Sequence, residues 1–411
     1  MSIKRPPGNR PAPPGSSNTY DINAYRRKKK LQKLRNRLLA VLSALTLLAA
    51  VIVGIYFYRN YDLNQLAQTA KNGGEDTVVT DHSFPVAMNG VNPVALSKVG
   101  SGVVLLTAEE TIFFDGNGAS RYSFNHQYTN PVIKSGGGRL LTYDRGGYGY
   151  RIDSEGGLHY NARMENTILT GAMGRKQSYA LVTSESRYAA SVTVYGKSNK
   201  EVLRWYSVSD QVLDVAFSYD GSTLAVAAVG FEDGDVAGRL YLLDLQDTGA
   251  EAEVWSFPGA LPLAVDCKKN GSVHLLCDNL LYQLDGKGEI TRVPLTSTLQ
   301  NFCFTETDTV LITSDAAGLS FSLIRVSSTG EQKSVQVRGS GLDLASDGES
   351  IYVLEKSVVQ RFDRALEPLE QLPISSDVFR LEASDGGVYL LSANQLDRWR
   401  EDAGTSSASE S

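Results

Sequence analysis

The sequence is poor in the residues that build most catalytic and metal sites. Its 411 residues include three cysteines and four histidines. The cysteines are too few for a disulfide framework, and they form no CxxC pair or Cys/His cluster, which argues against a structural zinc site. The histidines lie far apart in the sequence, so few residues are candidates for a general base. We therefore expect no metal and no cofactor.

A phosphate-binding loop is also missing. The glycine run at 135–138 (SGGG) lies between two predicted strands, and it lacks both a following helix and a Lys-Ser/Thr ending. No nucleophile–base pair stands out either, and no catalytic residue is assigned. A binding protein is therefore favoured over an enzyme.

The net charge of -6 conceals an uneven distribution of charge. Residues 1–37 hold 11 basic residues and one acid, Asp21, which places that stretch near +10 and leaves -16 for the rest. A folded part that is acidic argues against a nucleic-acid partner. The basic end instead suggests contact with phosphates or a membrane.

One long apolar run is present, at residues 38–58, and it carries no charge over its 21 positions. A helix of that length spans a bilayer core of about 30 Å. The basic end before it is far too long for a typical cleaved signal peptide. The positive-inside rule predicts a single-pass membrane protein with a cytoplasmic N-terminus, bound to the lipid bilayer. The charges that set this orientation are Arg26, Arg27, Lys28, Lys29, Lys30, Lys33, Arg35 and Arg37.

Composition divides the chain into five parts. We expect a disordered basic tail at 1–37 and the transmembrane helix at 38–58. A stalk follows at 59–76, an extracytoplasmic domain at 77–402 and a disordered tail at 403–411.

The long domain has the pattern of an all-β protein built from repeats. Short apolar runs alternate with turn dipeptides such as Asp115-Gly116 and Asp220-Gly221. Units start near 91, 128, 165, 210, 260, 298, 340 and 378, a spacing that suits four-stranded propeller blades. The sequence predicts a β-propeller of eight blades, with seven as the alternative.

The last unit contains only three strand-like runs, so it would leave an exposed edge. Residues 76–85 (DTVVTDHSFP) lie just before the first full unit and belong to no unit of their own. We expect them to supply the outer strand of the last blade and so to close the ring.

One unit permits a more specific comparison. Residues 212–225 (VLDVAFSYDGSTLA) and 238–244 (GRLYLLD) resemble three strands of a WD40-type blade, although the Gly-His and Trp-Asp signatures are absent. The other units are also similar to pyrroloquinoline-quinone-type propeller repeats. The whole layout resembles uncharacterised single-span propeller proteins of Gram-positive bacteria, which implies no known activity.

Two local features are candidate sites. An aspartate recurs at the turn between the third and fourth strands, and we interpret it as a turn cap rather than an ion ligand. Its copies are Asp115, Asp153, Asp244, Asp285 and Asp363. An acidic hairpin tip is a candidate contact surface for a partner. Its residues are Phe231, Glu232, Asp233 and Asp235.

The cysteines Cys267, Cys277 and Cys303 fall on predicted strands, where we expect small core residues. A bridge between Cys267 and Cys277 is possible outside the cell, but the two are not opposite each other in a direct hairpin.

The function that the sequence favours is that of a membrane-tethered scaffold that binds a protein or an envelope component. The alternative is an enzyme or small-molecule binder that uses the central funnel, and a sensor linked to the cytoplasmic tail ranks third. A deep polar channel with perturbed carboxylates would favour the alternative, and an apolar plug would favour the scaffold.

Overall fold

The computed structural model describes residues 83–400, except 89, 315–317 and 386. The described residues form 32 strands, which pair into eight antiparallel sheets of four strands each. The prediction of an all-β propeller with eight blades is confirmed. Within these residues no helix is long and apolar enough to cross a bilayer. The predicted span at 38–58, its flanking charges and the stalk lie outside the described range.

Each blade from the first to the seventh consists of four consecutive strands. In blades 1 to 4 these are β2 (Pro93–Val99), β3 (Gly102–Thr107), β4 (Glu110–Phe114), β5 (Ser120–Asn125); β6 (Pro131–Gly136), β7 (Arg139–Asp144), β8 (Gly149–Ser154), β9 (Gly157–Arg163); β10 (Ile168–Met173), β11 (Tyr179–Thr183), β12 (Ala190–Tyr195), β13 (Glu201–Ser207); β14 (Gln211–Phe217), β15 (Thr223–Glu232), β16 (Asp235–Asp244) and β17 (Glu253–Pro258).

The remaining blades follow the same order, and the eighth takes its outer strand from the start of the described chain. The strands of blades 5 to 8 are β18 (Pro262–Cys267), β19 (Val273–Cys277), β20 (Leu280–Leu284), β21 (Ile290–Pro294); β22 (Thr298–Phe304), β23 (Asp308–Ser314), β24 (Ser320–Ser327), β25 (Gln332–Arg338); β26 (Asp343–Ser346), β27 (Ser350–Leu354), β28 (Val358–Asp363), β29 (Pro368–Pro373); β30 (Val378–Ser384), β31 (Gly387–Ser392), β32 (Gln395–Arg400) and β1 (Val86–Ala87).

Burial follows the position of a strand in its blade. The second strands are almost wholly buried, as in β3 and β19, because both of their faces meet a neighbouring blade. The outer strand β25 instead alternates between exposed and partly buried residues. Eight hydrophobic clusters fill the interfaces between neighbouring blades, one for each interface. The core is therefore a ring of layers between the sheets.

The ring closes between the two ends of the described chain, as expected, but with different residues. Val86 and Ala87 pair with Leu396 and Gln395 of β32. The prediction had placed this strand at 76–85. The strand begins only after Pro85, since a proline has no N–H to donate to a ladder. Phe84, just before it, packs its ring 5.6 Å from that of Tyr389.

Antiparallel strands place successive connections on opposite faces of the propeller. The connections from first to second and from third to fourth strands share the face where the described chain begins at Ser83 and ends at Arg400, which we name the terminal face. The N–H of Phe84 and the guanidinium of Arg398 both bond to the third-to-fourth turn of blade 1, at Asn117 and Gly116. The opposite face, with the connections between blades, is the distal face.

Candidate functional site

A central channel runs through the propeller and encloses about 1050 Å³. The first strand of every blade lines it, because these strands lie innermost, and most neighbouring first strands contact one another around the ring. Strand β2 contacts β30, which joins the first blade to the last. All eight blades therefore shape one shared cavity.

Charged side chains line this channel and reach across it. Lys134 in blade 2 extends past blade 3 to Asp214 in blade 4, where Nζ and Oδ1 are 3.9 Å apart. Arg145 also lines the channel, from the distal end of β7. The channel is therefore polar rather than plugged by apolar side chains.

At the terminal face an ion pair crosses the channel. The guanidinium of Arg175 in blade 3 lies 2.7 Å from the carboxylate of Glu306 in blade 6. Both Arg175 and Lys269 stand over the ring of Tyr219, at 4.8 and 5.4 Å from its centroid. This group lies at the terminal mouth of the channel.

Burial raises the pKa of three carboxyl groups in the channel wall, those of Asp214, Asp266 and Glu382. For Glu382 the pKa rises to about 7. Its Oε1 accepts a hydrogen bond from the backbone N–H of Lys98 at 2.7 Å. The channel thus holds carboxyl groups of the kind that mark a polar binding pocket.

Behind the wall lies a fully buried lysine, Lys268. Its ammonium pairs with Asp266 at 2.8 Å and donates to the backbone oxygens of Thr305 and Asp308, at 3.1 and 2.9 Å. Sequence reasoning missed this group. The only signal was a lysine that directly follows an apolar strand.

The three cysteines are free thiols that differ in burial. Cys277 is buried as predicted, but Cys267 and Cys303 are only partly buried and line the channel. All three are free thiols, and Cys267 lies opposite Val273 rather than Cys277 in the sheet. Burial raises the pKa of the Cys303 thiol to about 12, and that of Cys267 is also raised, so neither is a thiolate at neutral pH.

The recurring aspartates cap their turns at four of the five positions, as predicted. The Oδ1 of Asp363, for example, accepts the backbone N–H groups of Ala365 and Glu367, both at 2.8 Å. The other three are Asp115, Asp244 and Asp285.

The exception is Asp153, for which the prediction of a turn cap is wrong. Its carboxylate is fully buried and pairs with Arg151 at 3.0 Å and with the hydroxyl of Tyr122 at 3.0 Å. Arg151 precedes it by two residues on β8, so both side chains lie on the same side of the sheet.

Exposed apolar side chains stand around the distal mouth of the channel on five of the eight blades. Four of them are the second or third residue of a first strand and the fifth directly precedes one, and we name these residues the apolar rim. Four of the five occupy β-bulges, where the extra residue leaves the ladder. The rim comprises Val94, Leu213, Leu263, Leu342 and Phe379.

The predicted acidic hairpin tip projects from the distal end of blade 4. It joins the two ten-residue strands β15 and β16, and Phe231 at its tip is 76% exposed. Asp233 and Gly234 form its turn with φ values of 52° and 90°, which twist the hairpin in the favoured sense. Glu232 lies 3.2 Å from Arg239.

Within the described residues no group of three or more His, Cys, Asp or Glu side chains could hold a metal ion.

Comparison with known proteins agrees with the fold. A model of a family of unknown function, DUF5711, matches residues 86–364. No curated protein matches the chain. Among solved structures, this chain is similar to that of Sqt1 from Saccharomyces cerevisiae. The two share 9% identity and a TM-score of 0.55, over 78% of this chain and 99% of Sqt1.

Two bacterial structures are also similar. Apo AztD from Citrobacter koseri has 13% identity and a TM-score of 0.52, over 71% of this chain and 88% of its own. BamB from Moraxella catarrhalis has 14% identity and a TM-score of 0.51, over 79% of this chain and 100% of its own. At such identities the likeness shows the propeller fold alone.

Proposed function

We propose that this chain, which belongs to the family of unknown function DUF5711, is a membrane-tethered extracytoplasmic scaffold that binds a protein or an envelope component. The apolar rim is the observation that carries the proposal. Single exposed apolar residues are ordinary on protein surfaces, but a group of them at equivalent places on five of eight blades, around one mouth, is typical of an interaction site.

The path of the chain supports the choice of face. The described chain begins and ends on the terminal face, at Ser83 and Arg400, so a tether that precedes Ser83 reaches the propeller there. The distal face, which carries the rim, then remains accessible to a partner.

Site-specific photo-crosslinking in intact cells tests this proposal. A photoreactive phenylalanine analogue replaces Leu342 on the rim, which is 53% exposed, and separately Val254 on the outer strand β17, which is 54% exposed. We expect a discrete covalent adduct from position 342 and none from position 254. Equal adducts at both positions, or none at position 342, would contradict the proposal.

A second function, the binding of a small polar molecule in the channel, is favoured by the carboxyl groups of Asp214, Asp266 and Glu382. Their raised pKa values and the cavity of about 1050 Å³ meet the criterion set out for this alternative. A thermal-shift screen of small metabolites tests it. A stabilising compound should lose its effect in D214N, and a set of compounds that stabilises both proteins equally would exclude the channel as their site.

A further inference from the structure

The apolar surface of the distal face is densest on one side. The rim residues Leu213 and Leu263 lie there, and four further apolar side chains are exposed beside them. Two of the four belong to the hairpin of blade 4, and the other two to the connections before and after that blade. Val208 and Phe231 are the most exposed, at 75% and 76%. We name this group the hairpin patch. It comprises Val208, Leu213, Phe231, Val236, Leu261 and Leu263.

Main-chain hydrogen bonds hold the parts of the patch together. The N–H of Gly259 bonds to the oxygen of Val236 at 2.8 Å, which fixes the hairpin against the connection from blade 4 to blade 5. That connection is fixed in turn to blade 5, since the N–H of Asp278 bonds to the oxygen of Leu261 at 3.0 Å. The patch is thus a prearranged surface on paired strands and fixed turns.

Carboxylates are interspersed with these apolar side chains. Four of them are exposed at the hairpin and at the neighbouring turn of blade 5. They are Glu232, Asp233, Asp235 and Asp278.

The guanidinium beside the hairpin does not balance these charges. Arg239 lies 3.2 Å from Glu232 and 3.8 Å from Asp210, so it already has acidic partners. Asp210 also accepts the hydroxyl of Tyr241. The exposed carboxylates of the patch therefore retain an excess of negative charge.

From this arrangement we infer that the hairpin patch binds a basic amphipathic segment of a partner protein. The inference rests on the proposed scaffold function and names the chemistry of the partner. Leucine-like side chains of the segment pack on Phe231 and Leu261, and its lysines or arginines meet Asp233 and Asp235. Complementary charge also speeds and orients the encounter.

Two synthetic peptides of 14 residues serve as probes. One alternates leucine with lysine, and the other alternates leucine with glutamate. Their binding to the full-length protein in phosphatidylcholine nanodiscs is followed by fluorescence anisotropy, with empty nanodiscs as the blank. We expect the lysine peptide to bind, the glutamate peptide not to bind, and added salt to weaken the binding.

Matched variants locate the binding. F231S and L261S should each weaken the lysine peptide about fivefold or more, and the double variant D233N/D235N should reduce its salt dependence. V254S removes an exposed apolar side chain elsewhere and should leave binding unchanged. Circular dichroism confirms that each variant is folded.

Three results would overturn the inference: equal binding of both peptides, no binding of the lysine peptide, or equal losses in V254S and F231S. If crosslinking at Leu342 still yields its adduct in those cases, the scaffold function stands and only the partner chemistry is wrong. If that adduct is missing, the scaffold proposal itself fails.

Discussion

At the scale of single residues, the carboxyl of Glu382 makes the stability of the protein depend on pH. Burial raises the pKa of its carboxyl from 4.5 to about 7. The folded state therefore holds this proton more tightly than the unfolded chain does. The resulting stability is fully present below about pH 4.5 and is lost as the pH rises through about 7.

A substitution at this position makes that dependence measurable. Gln at position 382 keeps an oxygen to accept the N–H of Lys98 but cannot ionise. We expect E382Q to raise the free energy of unfolding by about 1–2 kcal/mol near pH 8 and to change it little near pH 4. The gain is smaller than the full pKa shift implies, because the side chain of Glu382 is only partly buried and lines the cavity.

Urea unfolding of the full-length protein at the two pH values checks this expectation, with E349Q as the control, since Glu349 is 85% exposed. An equal effect of E382Q at both pH values would show that the carboxyl has an ordinary pKa in the folded state.

The residue scale also shows where sequence reasoning stops. Asp285 was predictable as a turn cap, because its hydrogen bonds to Lys287 and Glu289 are local. Asp153 was not, since its burial depends on Tyr122, which lies in another blade. The role of Lys268 likewise depends on Thr305 and Asp308 in the next blade. Contacts between blades leave no local trace in the sequence.

At the scale of elements, the closing strand β1 is the shortest in the propeller, and it completes the last blade by pairing with β32. Val86 is buried in the cluster between blades 8 and 1, whereas its neighbour Ala87 is exposed. The alternation of a strand thus places adjacent residues in opposite environments.

This alternation gives a pair of matched variants. V86D buries a charge beside Leu396 and should lower the free energy of unfolding by about 3 kcal/mol or more, whereas A87D should change it by less than about 0.5 kcal/mol. Urea unfolding measures both, and hydrogen exchange should accelerate in β32 of V86D alone. Equal stability of the two variants would mean that β1 does not close the ring.

Most strands were predictable because each unit repeats the same sequence of apolar runs and turns. The first strands begin within three residues of the predicted starts, for example at Thr298 and Val378. The closing strand was located less well, since a strand of two residues has no periodicity. The bulges that expose Leu213 and Leu263 were also invisible, because a bulge depends on the partner strand.

At the scale of the whole molecule, the number of blades followed from unit length, whereas the channel and the rim did not. The channel lining draws on residues as distant as Lys134 and Glu382. These residues line one channel only because the ring of blades closes. The acidic hairpin is a partial exception, since its length was evident in the sequence and the structure shows it projecting from the distal face.

Membrane tethering belongs to this scale, and cysteine labelling tests it. A membrane-impermeant maleimide applied to intact cells should label S186C, on an exposed distal connection, and should label S16C only after lysis. The native thiols give little background, since burial raises the pKa of Cys267, Cys277 and Cys303. Labelling of S16C in intact cells would reverse the proposed topology.

The central claim is that the distal rim carries the binding of a partner, and the affinity of the partner crosslinked at position 342 tests it most directly. The measurement compares the dissociation constants of L342E and V254E with that of the unaltered protein. We predict that L342E weakens binding by about tenfold or more, or about 1.4 kcal/mol, and that V254E leaves it unchanged. Equal affinities of L342E and the unaltered protein would contradict the claim.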